Sequence, residues 1–175
     1  MHEASASGLD AGESELMFQS VAVFTNSSAS YGSGPYYDTG GSRTDYNFSA
    51  GLGFGLGADF EAGFSLGYGH LNATTCFGGA CNSDSIGSRQ WSLFLRHNFS
   101  NGYDSGDYAF SGIEFSALYS GQLGRITLLR PYVGYRIGMA RDWTLELSVG
   151  GSQVVSGGNA VSSGYEVRAG LAIPF

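Results

Sequence analysis

From Phe48 to Tyr68 the chain alternates, position by position, between large apolar side chains and glycine or serine. Phe48, Ala50, Leu52, Phe54 and Leu56 share one parity, and Ser49, Gly51, Gly53 and Gly55 share the other. After Gly57–Asp59, a turn signal, Phe60, Ala62, Phe64, Leu66 and Tyr68 repeat the pattern against Glu61, Gly63, Ser65, Gly67 and Gly69. A period of two predicts strands, because successive side chains leave opposite faces. The pair is therefore expected as a hairpin with one greasy face and one almost bare face. Glycine is a poor choice for a solvated sheet surface and marks close approach or tight curvature. The bare face then belongs inside a narrow barrel, and the bulky face points outward, where only lipid tolerates it.

Six further segments carry the same alternation. At the C-terminal end Tyr165, Val167, Ala169, Leu171, Ile173 and Phe175 oppose Glu166, Arg168, Gly170, Ala172 and Pro174. Trp143, Leu145, Leu147 and Val149 oppose Thr144, Glu146, Ser148 and Gly150. In "RPYVGYRIGMA", Val133, Tyr135, Ile137 and Met139 oppose Tyr132, Gly134, Arg136 and Gly138. Trp91, Leu93 and Leu95 oppose Gln90, Ser92 and Arg96, with Phe94 interrupting the polar face. Ile113, Phe115, Ala117 and Tyr119 oppose Gly112, Glu114 and Ser116. "ELMFQSVAVFT" is the faintest, with Phe18, Ala22 and Phe24 outward and Gln19 and Val21 inward.

Eight strands follow, with connections that alternate in length. Short ones are expected near Gly57–Asp59, Ser100–Gly106 and Ala140–Asp142. Long polar ones are expected near Asn26–Arg43, Asn72–Ser88 and Gly150–Gly164, with a shorter one near Ser120–Arg125. The outward Tyr46, Tyr68, Tyr119 and Tyr165 fall toward the long-loop ends, and Phe60, Trp143 and Phe175 toward the short-turn ends. Two aromatic girdles around an aliphatic band are what the two bilayer interfaces select. The expected fold class is all-β, an eight-stranded antiparallel up-and-down transmembrane barrel over residues 14–175, preceded by a flexible tail at 1–13.

Composition agrees. Charged residues are 13 % of the 175, aromatics 14 %, and glycines number 29. No run of about 18 apolar residues exists to form a membrane helix, and a closed barrel is the other way to pair every backbone group in lipid. A soluble lipocalin-type barrel would have to house the bulky face in a lumen with little room for it. The net charge of −7 argues against a nucleic-acid partner. "MHEASASGLDAGESE" has no basic or apolar signal region, so a signal peptide is expected to have been removed.

With these strands, "RPYVGYRIGMA" and a final strand ending in Phe175, the chain resembles the small outer-membrane barrels of the OmpA transmembrane domain and OmpX/Ail type. The resemblance implies a bacterial outer membrane, both termini at the periplasmic rim, and lipid and lipopolysaccharide as surroundings. It implies that Tyr165 and Phe175 belong to the signal read by the outer-membrane assembly machinery. A monomer is the expected state. Members of the class include anchors, adhesins, narrow channels and lipid-modifying enzymes, so fold alone leaves function open.

The inward parity carries Asp45, Glu61, Arg96, Glu114, Arg136, Glu146, Glu166 and Arg168. In a hairpin turning at Arg141, Arg136 faces Glu146 and Ile137 faces Leu145. Arg168 is expected to reach Glu146 from the other side, and Glu61 and Arg96 lie on neighbouring strands near the short-turn rim. Paired guanidinium and carboxylate groups would plug the lumen; unpaired, they would line a narrow path for ions or small solutes.

Other chemistry is thin. Cys76 and Cys81 in "CFGGAC" read as a small disulfide loop in an oxidising compartment, since the spacing is not CxxC and no histidine or second pair stands near. His2 is in the tail, His70 lies outward and His97 is at the rim; with Ser65 and Ser92 inward, no Ser–His–acid set converges. "GLGFGLG" misses the GxGxxG pattern, and the N-x-S/T triplets at Asn26, Asn47, Asn72 and Asn98 are chance in a bacterial protein. No cofactor is expected. "NSSASYGSGPYYDTGGSR" has a composition that binds proteins or glycans adaptably, and equally that of a solvated loop without a partner.

Overall fold

A computed structural model describes residues 9–28, 40–57, 59–77, 80–99, 107–121, 124–139, 143–156 and 164–175, of which 25–28, 40–45, 71–77 and 80–84 are described by backbone alone. Eight antiparallel strands close into one barrel in chain order. They are β1 (Ser14–Ser28), β2 (Gly40–Gly57), β3 (Phe60–Phe77), β4 (Ala80–Phe99), β5 (Tyr108–Ser120), β6 (Gly124–Gly138), β7 (Thr144–Ser156) and β8 (Gly164–Pro174). The ring closes where β1 pairs with β8, from Glu15 opposite Pro174 to Phe24 opposite Tyr165. No sheet edge remains within the ring, as a bilayer demands.

The parity read from the sequence is the parity of the wall. Phe48, Phe54, Leu56, Phe60, Phe64, Leu66, Leu93, Leu95, Ile113, Val133, Leu147 and Val167 are exposed on the outside, while Ser49, Glu61, Ser65, Arg96, Glu114, Arg136 and Glu146 are buried. Tyr46, Tyr68, Tyr119, Tyr165, Phe60, Trp143 and Phe175 are also exposed. A water-soluble fold does not display such a belt; a hydrocarbon one does.

The loops differ from expectation. β3 runs to Phe77 and β4 starts at Ala80, so the loop expected at Asn72–Ser88 is instead a ladder from Phe77–Ala80 down to Gly69–Ser88. The register there is unbroken, with Thr74 opposite Ser83 and Asn72 opposite Ser85. β1 and β2 likewise extend to Ser28 and Gly40, and β7 reaches Ser156. Since β5 first meets β4 at Ser88, β4 carries no described β5 partner from Ala80 to Gly87. The first four strands thus rise above the other four.

Of the expected 1–13 tail, Leu9 to Glu13 pack into the short-turn mouth, and residues 1–8 lie outside the described residues. Gly12, at φ +91°, turns the chain. Its N–H donates to the Gly55 carbonyl, and the Gly55 N–H donates to the Glu13 carbonyl, each at 3.0 Å. Leu9 is buried. The backbone oxygens of Leu9 and Asp10 occupy the space that a Cβ on Gly55 would need, so glycine there makes room for the strap inside the mouth.

Pro131 interrupts the wall. β6 and β7 pair at Leu129–Gln153 and again from Tyr132–Gly150, with no pairing between. Proline has no N–H to give the ladder.

Candidate functional site

The candidate site is the lumen. Five glutamates and four arginines are buried there: Glu15, Glu61, Arg96, Glu114, Arg130, Arg136, Glu146, Glu166 and Arg168. Two were not among the residues singled out from the sequence. Arg130 has the parity of Tyr132, Gly134 and Arg136, and Glu15 that of Gln19 and Val21, so the signal was present in both cases. The side chain of Asp45 lies outside the described residues.

The charges fall into two groups. The lower one, near the short-turn end, is Glu15, Glu61, Arg96, Arg136 and Glu146. Arg136 and Glu146 are direct cross-strand partners. Arg136 donates from Nε to Glu146 Oε1 at 2.6 Å, with a second contact from Nη2. It also donates to both oxygens of Glu15, at 2.6 and 2.9 Å, and to the Tyr108 hydroxyl at 2.5 Å. Arg96 crosses the lumen. It donates to Glu61 Oε2 from Nε at 2.8 Å and from Nη2 at 2.6 Å, to Glu15 Oε1 at 2.6 Å, and to Glu146 Oε1 at 2.6 Å. Such charge-assisted, multiply shared bonds are what a buried guanidinium needs to offset its desolvation.

The upper group is Glu114, Arg130, Glu166 and Arg168. Arg168 donates to Glu114 Oε2 at 2.5 Å and to Glu166 Oε1 from Nε at 2.8 Å. Its expected contact with Glu146 is absent from this set: the register sets Arg168 against Ser148 and Val21, one storey above Glu146. Arg130 donates to Glu114 Oε1 at 3.0 Å and lies 3.4 Å from Glu166 Oε2. Ser116 donates to Glu114 at 2.6 Å, and Gln90 to Ser92 at 2.9 Å.

Aromatic rings fill the volume that the glycines leave. Tyr132 lies over Gly112, Phe94 against Gly63 and Phe110 against Gly134. These rings also line the cations: Arg168 stands 4.8 Å from the Tyr132 centroid, and Arg96 5.4 Å from that of Phe110. Toward the long-loop end the lumen turns apolar, with Leu118, Ile126 and Leu128 buried together against Ile86 and Val154. The sequence reading, drawn to the polar parity, had not anticipated this cap. From one end to the other the lumen therefore holds an apolar cap, two charge groups and the strap.

The remaining singled-out residues stand apart. The backbone sets Cys76 opposite Cys81, and their side chains lie outside the described residues. His70 stacks edge-on with Tyr68 outside the barrel, whereas Ser65 and Ser92 hydrogen-bond to each other inside it at 3.3 Å. His97 stacks on Phe60 and Phe99 at the rim. Among the described residues no group of three His, Cys, Asp or Glu side chains is arranged to hold a metal ion. Tyr165 and Phe175 are both on the outer face of β8 or just beyond it.

No family model and no curated protein sequence matches the chain. Solved structures do match in fold. The outer membrane protein OprG from Pseudomonas aeruginosa superposes with a TM-score of 0.62 at 10 % identity, over 96 % of this chain and 98 % of its own. Neisserial surface protein A superposes with a TM-score of 0.60 at 14 % identity, over 94 % and 98 %. The fold is therefore that of the eight-stranded bacterial outer-membrane barrels.

Proposed function

We propose that the chain is a non-enzymatic barrel of the bacterial outer membrane, held by two aromatic girdles, with a structural role and a sealed lumen. Its raised β1–β4 side, and the loops there, provide the contact surface for a partner or for lipopolysaccharide. The observation that carries the reading is the pairing of the lumen charges, with each guanidinium in contact with at least two carboxylates. The apolar cap and the strap support it from either end. The test is single-channel recording of the refolded protein in planar bilayers beside Glu146→Gln. Silence from both, with a heat-modifiable band proving that each barrel has folded, is the expected result.

A second reading, a narrow channel for ions or small solutes, draws on the sharing of carboxylates. Glu146 serves Arg96 and Arg136, and Glu114 serves Arg130 and Arg168. A carboxylate held by two cations can exchange one pairing for another without leaving either charge bare. Steady openings in the native protein, altered by Glu146→Gln, would establish this reading and displace the first. A lipid-modifying activity has less support, because the hydroxyls of Ser65 and Ser92 are on the opposite side of the wall from His70. Mass spectrometry of lipid A from expressing cells tests it.

A further inference from the structure

The two charge groups differ in their balance. The upper one has two carboxylates and two guanidiniums. The lower one has three carboxylates, Glu15, Glu61 and Glu146, for two guanidiniums, Arg96 and Arg136. All five side chains are at most 5 % exposed. An uncompensated charge that deep carries the desolvation penalty of an unpaired ion.

The shortfall has a location. Glu61 is fully buried, and while its Oε2 takes both bonds from Arg96, its Oε1 has no hydrogen-bond partner. That oxygen faces Gly53 on β2, beside Glu15, whose Oε1 lies 3.2 Å from where a Gly53 Cβ would stand. The groups facing it can be named strand by strand: Glu15 on β1, Arg96 on β4, Tyr108 on β5, Arg136 on β6 and Glu146 on β7. β2 and β8 present only Gly53, Gly170 and Ala172 there. No further cation is among them. The nearby mouth adds Asp10, Glu13 and Asp59, a field that concentrates cations rather than anions.

We propose that the lower group is a binding site for one monovalent cation, an alkali ion or a proton, held against Glu61 Oε1 and Glu15 and favoured by the acidic mouth beside it. The surplus in the lower group is a single negative charge, so one monovalent cation balances it and a multivalent ion overshoots. The bound cation brings the group to neutrality and tightens the lower storey. The proposal holds whether or not the lumen conducts.

The test is thermal unfolding of the refolded barrel in detergent, beside Glu61→Gln, an isostere that balances the group without a cation. One arm replaces N-methylglucamine by sodium at constant pH and ionic strength. The other lowers the pH from about 9 to about 6, a range in which ordinary carboxylates stay ionised. The native midpoint is expected to rise by several degrees in at least one arm, and that of Glu61→Gln to stay flat in the same arm. A rise with sodium identifies the alkali ion, and a rise with acid alone identifies the proton. A native protein flat in both arms, or a variant that keeps the full dependence, overturns the site. Glu15→Gln restores the same balance and carries the test if Glu61→Gln does not refold.

Discussion

Arg96 and Arg136, on strands that do not touch, donate to the same oxygen of Glu146. This one carboxylate ties β4 and β6 to β7 across the lumen. The lower group is therefore a lattice rather than a set of pairs, and removing a member changes the balance seen by all the others.

Removing a cation is expected to cost more than removing an anion. Arg136→Met leaves three carboxylates with one guanidinium and is expected to destabilise the barrel by about 3–5 kcal/mol, the range for a broken buried pair. Glu146→Gln leaves two against two and is expected to cost less than half as much. Urea unfolding in lipid vesicles, followed by the heat-modifiable band, orders the two variants. The reverse order would show that geometry, not charge count, dominates.

Gly112 and Tyr132 fill one space between them. A Cβ on Gly112 would stand 2.6 Å from the Tyr132 hydroxyl oxygen and 2.7 Å from its Cζ. Gly112→Ala is expected to cost about 1–3 kcal/mol through overpacking. Part of that cost is expected to return in the double variant with Tyr132→Leu, as a coupling of about 0.5 kcal/mol or more between neighbours. A double-mutant cycle on unfolding free energies measures it; the Leu95 carbonyl, 2.8 Å from the same Cβ, sets the part that does not return.

Pro131→Val returns an N–H to the middle of β6, where the ladder to β7 is broken. The barrel is expected to gain about 0.5–1.5 kcal/mol, the net worth of one hydrogen bond. Slower amide exchange at Gly150 and Gly151 is the accompanying signature.

Cys76 and Cys81 are direct antiparallel partners, a spacing at which Cα atoms lie about 4.5–5.5 Å apart, within disulfide range. Intact mass with and without reduction before alkylation is expected to show them joined in protein refolded under oxidising conditions. Reduction is expected to leave the barrel's unfolding midpoint unchanged, because the bridged hairpin lies beyond the closed ring and opens independently of it.

The wall was legible and the interior only partly so. Period two placed Phe48 to Tyr68 and Tyr165 to Phe175 because one parity faces lipid and a one-residue slip would reverse every side chain. Counting outward from the β6–β7 turn also set Arg136 against Glu146. Arg130 and Glu15 were within reach of the same count. The contacts of Arg168 and Arg96 were not. Parity says that a side chain points inward, but the tilt and stagger of the closed ring decide which inward side chains share a depth. Arg168 and Glu146 have the right parity on adjacent strands and belong to different storeys. The β3–β4 extension was lost for another reason. Between Leu71 and Phe77 only Ala73 and Thr75 stand on one parity, against Asn72, Thr74 and Cys76 on the other, so its alternation is weak, although the Gly78–Gly79 pair between Phe77 and Ala80 is a hairpin signal in its own right.

That extension bears on how the molecule meets its surroundings. β4 has 20 residues and β8 has 11. At about 3.3 Å per residue, the difference is roughly 30 Å of strand before tilt is allowed for. The barrel is a post with a mast on one side, and Phe77 and Ala80 are near its head. A large particle approaching that end along the membrane normal would meet the β3–β4 hairpin before the described ends of β5, β6 and β8. An epitope inserted between Phe77 and Ala80 would be carried at the tip of the β3–β4 hairpin, on a stem that shares its backbone with the wall.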